Sequence, residues 1–207
     1  MNRNLNEFDI FVRDNIGLSI LYKVQKKTSL FFDTLVFMST PFGFRSFARG
    51  NSVKFDDAVS LITSKGVSYV KREDVSKNIE VIDKYKVIIG KIVPNNGEVG
   101  IDPSLGYKAI TKSRVLMPNE INTETYLLLS VFDTFDEANN CAKYFQMKMP
   151  RFLLRLTFSS MNISKSNFRF VPVVNFKEEW NDEKMYDYYE LDLFERNYIE
   201  KTIKPME

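Results

Sequence analysis

The chain contains no histidine, and that absence removes more chemistry than any residue present supplies. Cys/His zinc sites, Ser-His-Asp and Cys-His nucleophilic sites and histidine acid-base catalysis are all excluded, which leaves carboxylates and lysines. Cysteine is almost as scarce. Cys141 stands alone, so there is no internal disulfide. Its neighbours Ala138, Ala142 and Phe145 on an expected helix make it a small buried hydrophobe rather than a redox centre. The glycines are scattered. Their nearest cluster, NNGEVGIDPSLG from Asn95 to Gly106, has neither the lysine of a P-loop nor the spacing of a dinucleotide fingerprint, and it reads as a surface loop. No apolar run approaches the roughly 20 residues that a membrane span needs. The opening MNRNLNEFDIF lacks the basic-then-apolar order of a secretory signal. A soluble, cytoplasmic chain with no membrane partner is the expectation.

Acids are missing from three long stretches. None occurs between Asp33 and Asp56, where Arg45, Arg49 and Lys54 stand, or from Pro103 to Asn119, where Lys108, Lys112 and Arg114 stand. None occurs from Ala138 to Lys177, a stretch carrying Lys143, Lys148, Arg151, Arg155, Lys165, Arg169 and Lys177. From Glu178 onward the sign reverses. The net charge of +2 therefore hides a segregated pattern, a basic face and an acidic end, and a polyanion is the natural partner of a basic face. Ordinary solvated surface is the competing account.

What is present builds a core. At 207 residues and 44% hydrophobic composition, the chain can bury one without disulfide or metal. Residues Leu5 to Lys27 carry Phe8, Phe11, Val12, Ile16, Ile20, Tyr22 and Val24 on one broad side and predict a long helix. FFDTLVFMSTPFGF predicts a helix or strand ended by a turn at Pro41 and Gly43. Ala58 to Thr63 and Gly66 to Lys71 predict a hairpin turning at Ser64 and Lys65. Lys84 to Val93 and Thr125 to Phe132 predict strands. Thr134 and Glu137 have capping-box spacing before a helix that Pro150 interrupts, with a second helix from Arg151. FRFVPVV, Phe168 to Val174, predicts an edge strand because Pro172 lacks a donor. Asn181 and Asp192 open two short C-terminal helices. The order predicts an α+β fold, a mixed β-sheet core flanked by helices with a long N-terminal helix and a C-terminal helical tail, divided as a helical segment 1–39 and an α+β domain 40–207.

Several segments, in this order and spacing, carry a resemblance: TPFGFRSF, GVSYVKREDV, DKYKVIIGK, TYLLLSVFDTFDEANNCAKYF, MPRFLLRL and FRFVPVVNFKEEWNDEKMYDYYEL followed by FERNYIEKTI. From about Thr40 onward the chain resembles the C-terminal target-recognition domain of adenine-specific DNA methyltransferases and of fused type II restriction-modification enzymes. It departs from that family where catalysis would sit. The glycine-containing loop for S-adenosylmethionine and the Asn-Pro-Pro-Tyr-like tetrapeptide that grips a flipped adenine are both missing; the closest strings are Thr40-Pro41-Phe42-Gly43 and Ile101-Asp102-Pro103-Ser104. The resemblance therefore implies a double-stranded DNA-recognition module with no catalytic residues and no cofactor of its own. S-adenosylmethionine would be bound by a partner methyltransferase or nuclease domain or subunit.

Such a module sets its position by phosphate contacts and reads base edges with a few side chains. The expected DNA-binding residues are Arg45 and Arg49 after the Pro-Phe-Gly turn, Lys65 at the hairpin tip, Lys71 and Arg72 beyond the hairpin, Lys108, Lys112 and Arg114 in the insert, and Asn162, Lys165, Asn167 and Arg169 before FRFVPVV. Two rivals stand beside this reading. In one the chain is a metal-dependent restriction endonuclease subunit using Asp83 with Lys84 and Lys86, or Asp102 with Lys108. In the other it is a specificity subunit whose N-terminal helix and acidic tail pair with a methyltransferase. Trp180, Tyr186, Tyr188, Tyr189 and Tyr198 are expected to pack rather than to stack on bases, because the interleaved acids repel a nucleic-acid backbone.

Overall fold

Ser64 and Lys65 turn the chain between two short β-branched runs, β1 (Val59–Thr63) and β2 (Gly66–Val70), which pair antiparallel with Val59 opposite Val70. Gly66 takes φ +112°, and no atom would meet a Cβ there, so backbone conformation rather than space calls for glycine. The structure, a computed structural model, describes residues 12, 14–98 and 102–206. Four further strands follow: β3 (Tyr85–Gly90), β4 (Arg114–Leu116), β5 (Glu120–Asn122) and β6 (Tyr126–Phe132). They form two three-stranded sheets. The first, ordered β2-β1-β5, is mixed because β5 runs parallel to β1; the second, β4-β3-β6, is antiparallel.

Side-chain alternation decides how the sheets stack. Ile88, Leu116 and Leu128 of the second sheet meet Val59, Leu61 and Ile121 of the first in one core, closed by Phe42, Val75 and Ile82. The opposite face of the second sheet, Val87, Ile89, Leu127 and Leu129, lies in a larger core with the helices. The result is three layers, with the β4-β3-β6 sheet buried in the middle.

Helices α1 (Asn15–Lys27), α3 (Phe135–Gln146), α4 (Lys148–Arg155), α5 (Asp182–Tyr188) and α6 (Leu193–Thr202) form the outer layer; α2 (Pro94–Gly97) is a single turn after β3. Ile20, Leu21 and Val24 of α1 share the core of Phe145, Phe152, Tyr186 and Ile199. The capping signals act as the sequence predicts. The Thr134, Asn181 and Asp192 side chains accept from the Glu137, Lys184 and Glu195 amides, and Asp192 with Glu195 closes a full capping box. Helix α4 is different. Its cap residue Met147 offers no side-chain acceptor, and Asp182 reaches across from α5 to accept from Lys148 N at 2.9 Å and Met149 N at 2.8 Å. Burial pushes the Asp182 carboxyl above its usual range against those two donors.

Several expectations change. Helix α1 begins after Asp14, whose carboxylate accepts from Gly17 N; residues 5–11 and 13 of the longer helix expected lie outside the described residues. The Phe31 segment is a 3-10 turn, Phe32–Thr34, followed by the expected turn, where Gly43 N donates to Thr40 O. FRFVPVV is not an edge strand. Lys165–Phe170 is a 3-10 helix begun by a Ser164–Asn167 capping box, and the chain beyond it makes one isolated bridge, Phe31 with Pro172. The Pro172 nitrogen has no hydrogen to continue a ladder. Strands β4 and β5 were not expected.

Burial bears out packing for Tyr186 and Tyr189, and in part for Trp180 and Tyr198, whereas Tyr188 is exposed. The Trp180 indole donates to Asn175 O at 3.0 Å and meets the Tyr188 ring edge-on, while Tyr186 and Tyr189 are buried. Cys141 is also buried, which pushes its thiol pKa well up.

Candidate nucleic-acid interface

Strand directions bring many chain segments to one end of the stacked sheets. The β1–β2 tip lies there, and so does the end of β5, because β5 runs parallel to β1. In the second sheet Gly90, at the end of β3, pairs with Tyr126, at the start of β6, and Arg114, at the start of β4, pairs with Ile88. Tyr126 ties the two sheets together. Its hydroxyl donates to Thr63 O at 3.5 Å, its carbonyl accepts from Asn122 Nδ2 at 3.0 Å, and the Arg114 guanidinium lies over its ring at 5.5 Å.

Five cations stand on segments at this end. Lys65 is on the hairpin tip; Arg114 opens β4 and Lys112 precedes it by two residues; Lys91 follows β3; Arg45 is joined to Lys91 through Glu124. Glu124 accepts from Lys91 at 3.2 Å, from Arg45 at 3.5 Å and from Ser39 Oγ at 3.4 Å. The Lys91 hydrogen bond, with the nearby charges of Lys91 and Arg45, outweighs partial burial and holds this carboxyl below its usual range. Among the described residues, Lys65, Lys112 and Arg114 have no carboxylate partner.

The other residues predicted to bind DNA lie elsewhere. Lys71 and Arg72 follow β2 and so occupy the opposite end of the sheets, where Lys71 pairs with Glu73 at 3.0 Å and Arg72 with Asp83 at 2.5 Å. They do not share a surface with Lys65, and the expectation of one cationic group fails for them. Arg49 folds its guanidinium onto the Ser46 and Ala48 carbonyls beside the β2 edge. Lys108 lies against the helical layer. Its amide donates to Glu98 and its carbonyl accepts from Arg151, next to Tyr107, which hydrogen-bonds to Thr202 and Lys204.

Asn162 lies in the loop between α4 and the 3-10 helix, and Lys165, Asn167 and Arg169 lie in that helix. Asn162 bridges to Ile92, one residue from Lys91, so it borders the basic end. Lys165 is half-buried at the start of the 3-10 helix. Asn167 is buried, with its carboxamide spent on Thr157 and Ser164; it holds the loop and presents nothing to a ligand. The sequence reading missed Lys91 because it lay inside an apolar run. The signal available was its place directly after Gly90, where a strand ends.

The carboxylate and lysine groups of the nuclease rival are engaged separately. Asp83 pairs with Arg72, Lys84 with Asp133, and Asp102 accepts from Ser104 N. Lys86 is fully buried and donates to four carbonyls, Lys84 O at 2.5 Å, Ile82 O at 2.6 Å, and Val81 O and Met117 O at 3.3 Å; burial lowers its pKa to about 8. Among the described residues, no group of three His, Cys, Asp or Glu side chains is placed to hold a metal ion, and no helix is long and apolar enough to cross a membrane.

Set against known proteins, the chain matches no family model and no curated protein.

Proposed function

We propose that this chain binds double-stranded DNA as the target-recognition module of a restriction-modification methyltransferase or endonuclease, and that it carries out no catalysis itself. The observation behind the reading is the meeting of Arg45, Lys65, Lys91, Lys112 and Arg114, from four separate segments, at one end of two stacked sheets. Among the described residues their one carboxylate partner, Glu124, is outnumbered. Exposed ion pairs contribute little, so Arg45 can exchange Glu124 for a phosphate at small cost. The narrow hairpin tip with Lys65 is the size of a two-stranded ribbon, which the major groove admits. Lys91 and Arg45 then set position on the phosphates, and Arg114 and Asn162 are the base-reading candidates, arginine for guanine and asparagine for adenine. S-adenosylmethionine and the catalytic residues would come from a partner domain or subunit.

A specificity-subunit role is compatible with this reading. Tyr188, Leu193 and Phe194 are exposed beside the α5–α6 junction and offer an apolar surface for that partner. Binding selection from random duplexes at moderate salt tests the proposal. A preferred short motif supports it, and retention of no duplex above background refutes it.

A further inference from the structure

Phe47 is 76% exposed, a degree matched among the described large hydrophobic side chains by Val53 alone. Both stand in the acid-free stretch between Asp33 and Asp56, Phe47 between Arg45 and Arg49 and Val53 beside Lys54. The turn that carries the ring is braced. Ala48 N donates to Arg45 O at 3.0 Å, and Arg49 Nη1 donates to Ser46 O at 3.2 Å and to Ala48 O at 2.7 Å. Two anchors fix it on the first sheet. Just before the turn, Phe44 O accepts from Glu124 N at 2.9 Å; just after it, Gly50 N donates to Ser68 Oγ at 3.2 Å and Asn51 exchanges both backbone hydrogen bonds with Tyr69. A Cβ on Gly50 would lie 2.4 Å from Tyr69 O, so glycine is what lets the chain press against β2. The ring therefore rides on a fixed turn that runs from the Arg45–Glu124–Lys91 cluster to Ser68, three residues beyond Lys65.

A phenyl ring left in water adds nothing to the core and gains free energy when another surface covers it. Its flanking cations require that cover to be anionic at the rim and apolar at the centre, and a nucleobase between two phosphates is both. A bilayer also joins apolar matter to negative charge, but binding there rests on an extended apolar face, and this loop offers one ring and one valine. We infer that Phe47 is a wedge: on bound duplex its ring enters a base step and stacks on a nucleobase, with Arg45 on an adjoining phosphate and Arg49 bracing the turn. The wedge rests on the DNA reading and adds a source of specificity to it. Pyrimidine–purine steps unstack most readily, so one of them is expected at the point of insertion. The braced turn keeps the ordering cost of insertion small.

The test places 2-aminopurine, a base whose fluorescence rises on unstacking, at successive adenine positions of a duplex retained in the binding selection. Anisotropy and fluorescence are followed in one titration with the full chain. A rise confined to one step is expected. Phe47→Ala abolishes the rise and binds about five- to a hundredfold more weakly, the loss of one base–aromatic stack, with the log–log salt slope unchanged because no phosphate contact is lost. Phe47→Trp keeps both the rise and the affinity. The ring is exposed, so both variants keep the thermal unfolding midpoint of the unmodified chain. Duplex binding without the rise, or with equal affinity in Phe47→Ala, overturns the wedge and leaves the DNA reading standing. If the unmodified chain binds no duplex, the DNA reading fails and the wedge falls with it. If Phe47→Ala loses binding only to vesicles of phosphatidylcholine with phosphatidylserine, the ring serves a membrane surface and the wedge is overturned.

Discussion

The guanidinium of Arg114 rests on the ring of Tyr126 at 5.5 Å, and that same tyrosine reaches the Thr63 carbonyl of the other sheet. One side chain thus orients a cation and joins the two sheets next to Lys65. Cations on separate loops, 49 residues apart in sequence between Lys65 and Arg114, become neighbours through the sheet registers rather than through any local pattern.

Glu124 is the brake on this surface. Glu124→Gln removes the acid that, among the described residues, pairs with Arg45 and Lys91, and duplex affinity rises about three- to tenfold in a fluorescence anisotropy titration, equivalent to about 0.6–1.4 kcal/mol. Its stability cost is below about 1 kcal/mol, because the pair is partly solvated. The Glu124 carboxyl has a lowered folded pKa, so its stabilisation is present above its ordinary value of 4.5 and is lost as pH falls through the folded value. The variant lacks that acid-side loss, which thermal unfolding between pH 3 and 6 would register.

Lys86 gives the opposite sign on the alkaline side. Its folded pKa, near 8, lies below the ordinary 10.5, so between those values the unfolded chain binds more protons and stability rises with pH. Below pH 8 the buried ammonium carries its full penalty, of order 3 kcal/mol or less. Relative to Lys86→Met, the unmodified chain therefore gains stability from pH 8 to pH 10. Unfolding midpoints of the two proteins that run parallel across this window would show that the ammonium is not penalised by its carbonyl cage.

Asp182 caps a helix other than its own. Asp182→Ala strips both acceptors from the start of α4 and lowers stability by about 2 kcal/mol, against about 1 kcal/mol for Asp192→Ala, which removes a cap local to α6. Urea unfolding monitored by circular dichroism orders the two variants; a smaller effect at Asp182 would mean that α4 is held by its packing alone.

The contrast between those two caps also shows which features were legible beforehand. Thr134, Asn181 and Asp192 act within three residues of themselves, so spacing revealed them. The Asp182 contact spans 34 residues and left no local trace. Strands β4 and β5 are three residues each and exist through pairing with β3 and β1, partners set by the fold. FRFVPVV looked like a strand because its residues are apolar, yet Ser164 and Asn167 cap a 3-10 helix there and bury Phe168 and Phe170 without a ladder. At the candidate interface, acid-free stretches did point to Arg45, Lys112 and Arg114, and the expected hairpin turn to Lys65. The hairpin also pointed to Arg72, whose partner Asp83 lies 11 residues away, and neither signal reached Lys91.

The central claim is that one end of the stacked sheets, and not the other, carries the duplex. The direct measurement is duplex affinity as a function of salt for two double variants, Arg45→Ala with Lys91→Ala at the basic end and Lys71→Ala with Arg72→Ala at the opposite end. The account predicts that the first loses affinity and flattens the log–log salt slope by about 0.9 for each phosphate contact removed, while the second matches the unmodified chain. Equal losses in both variants, or losses only in the second, would contradict it.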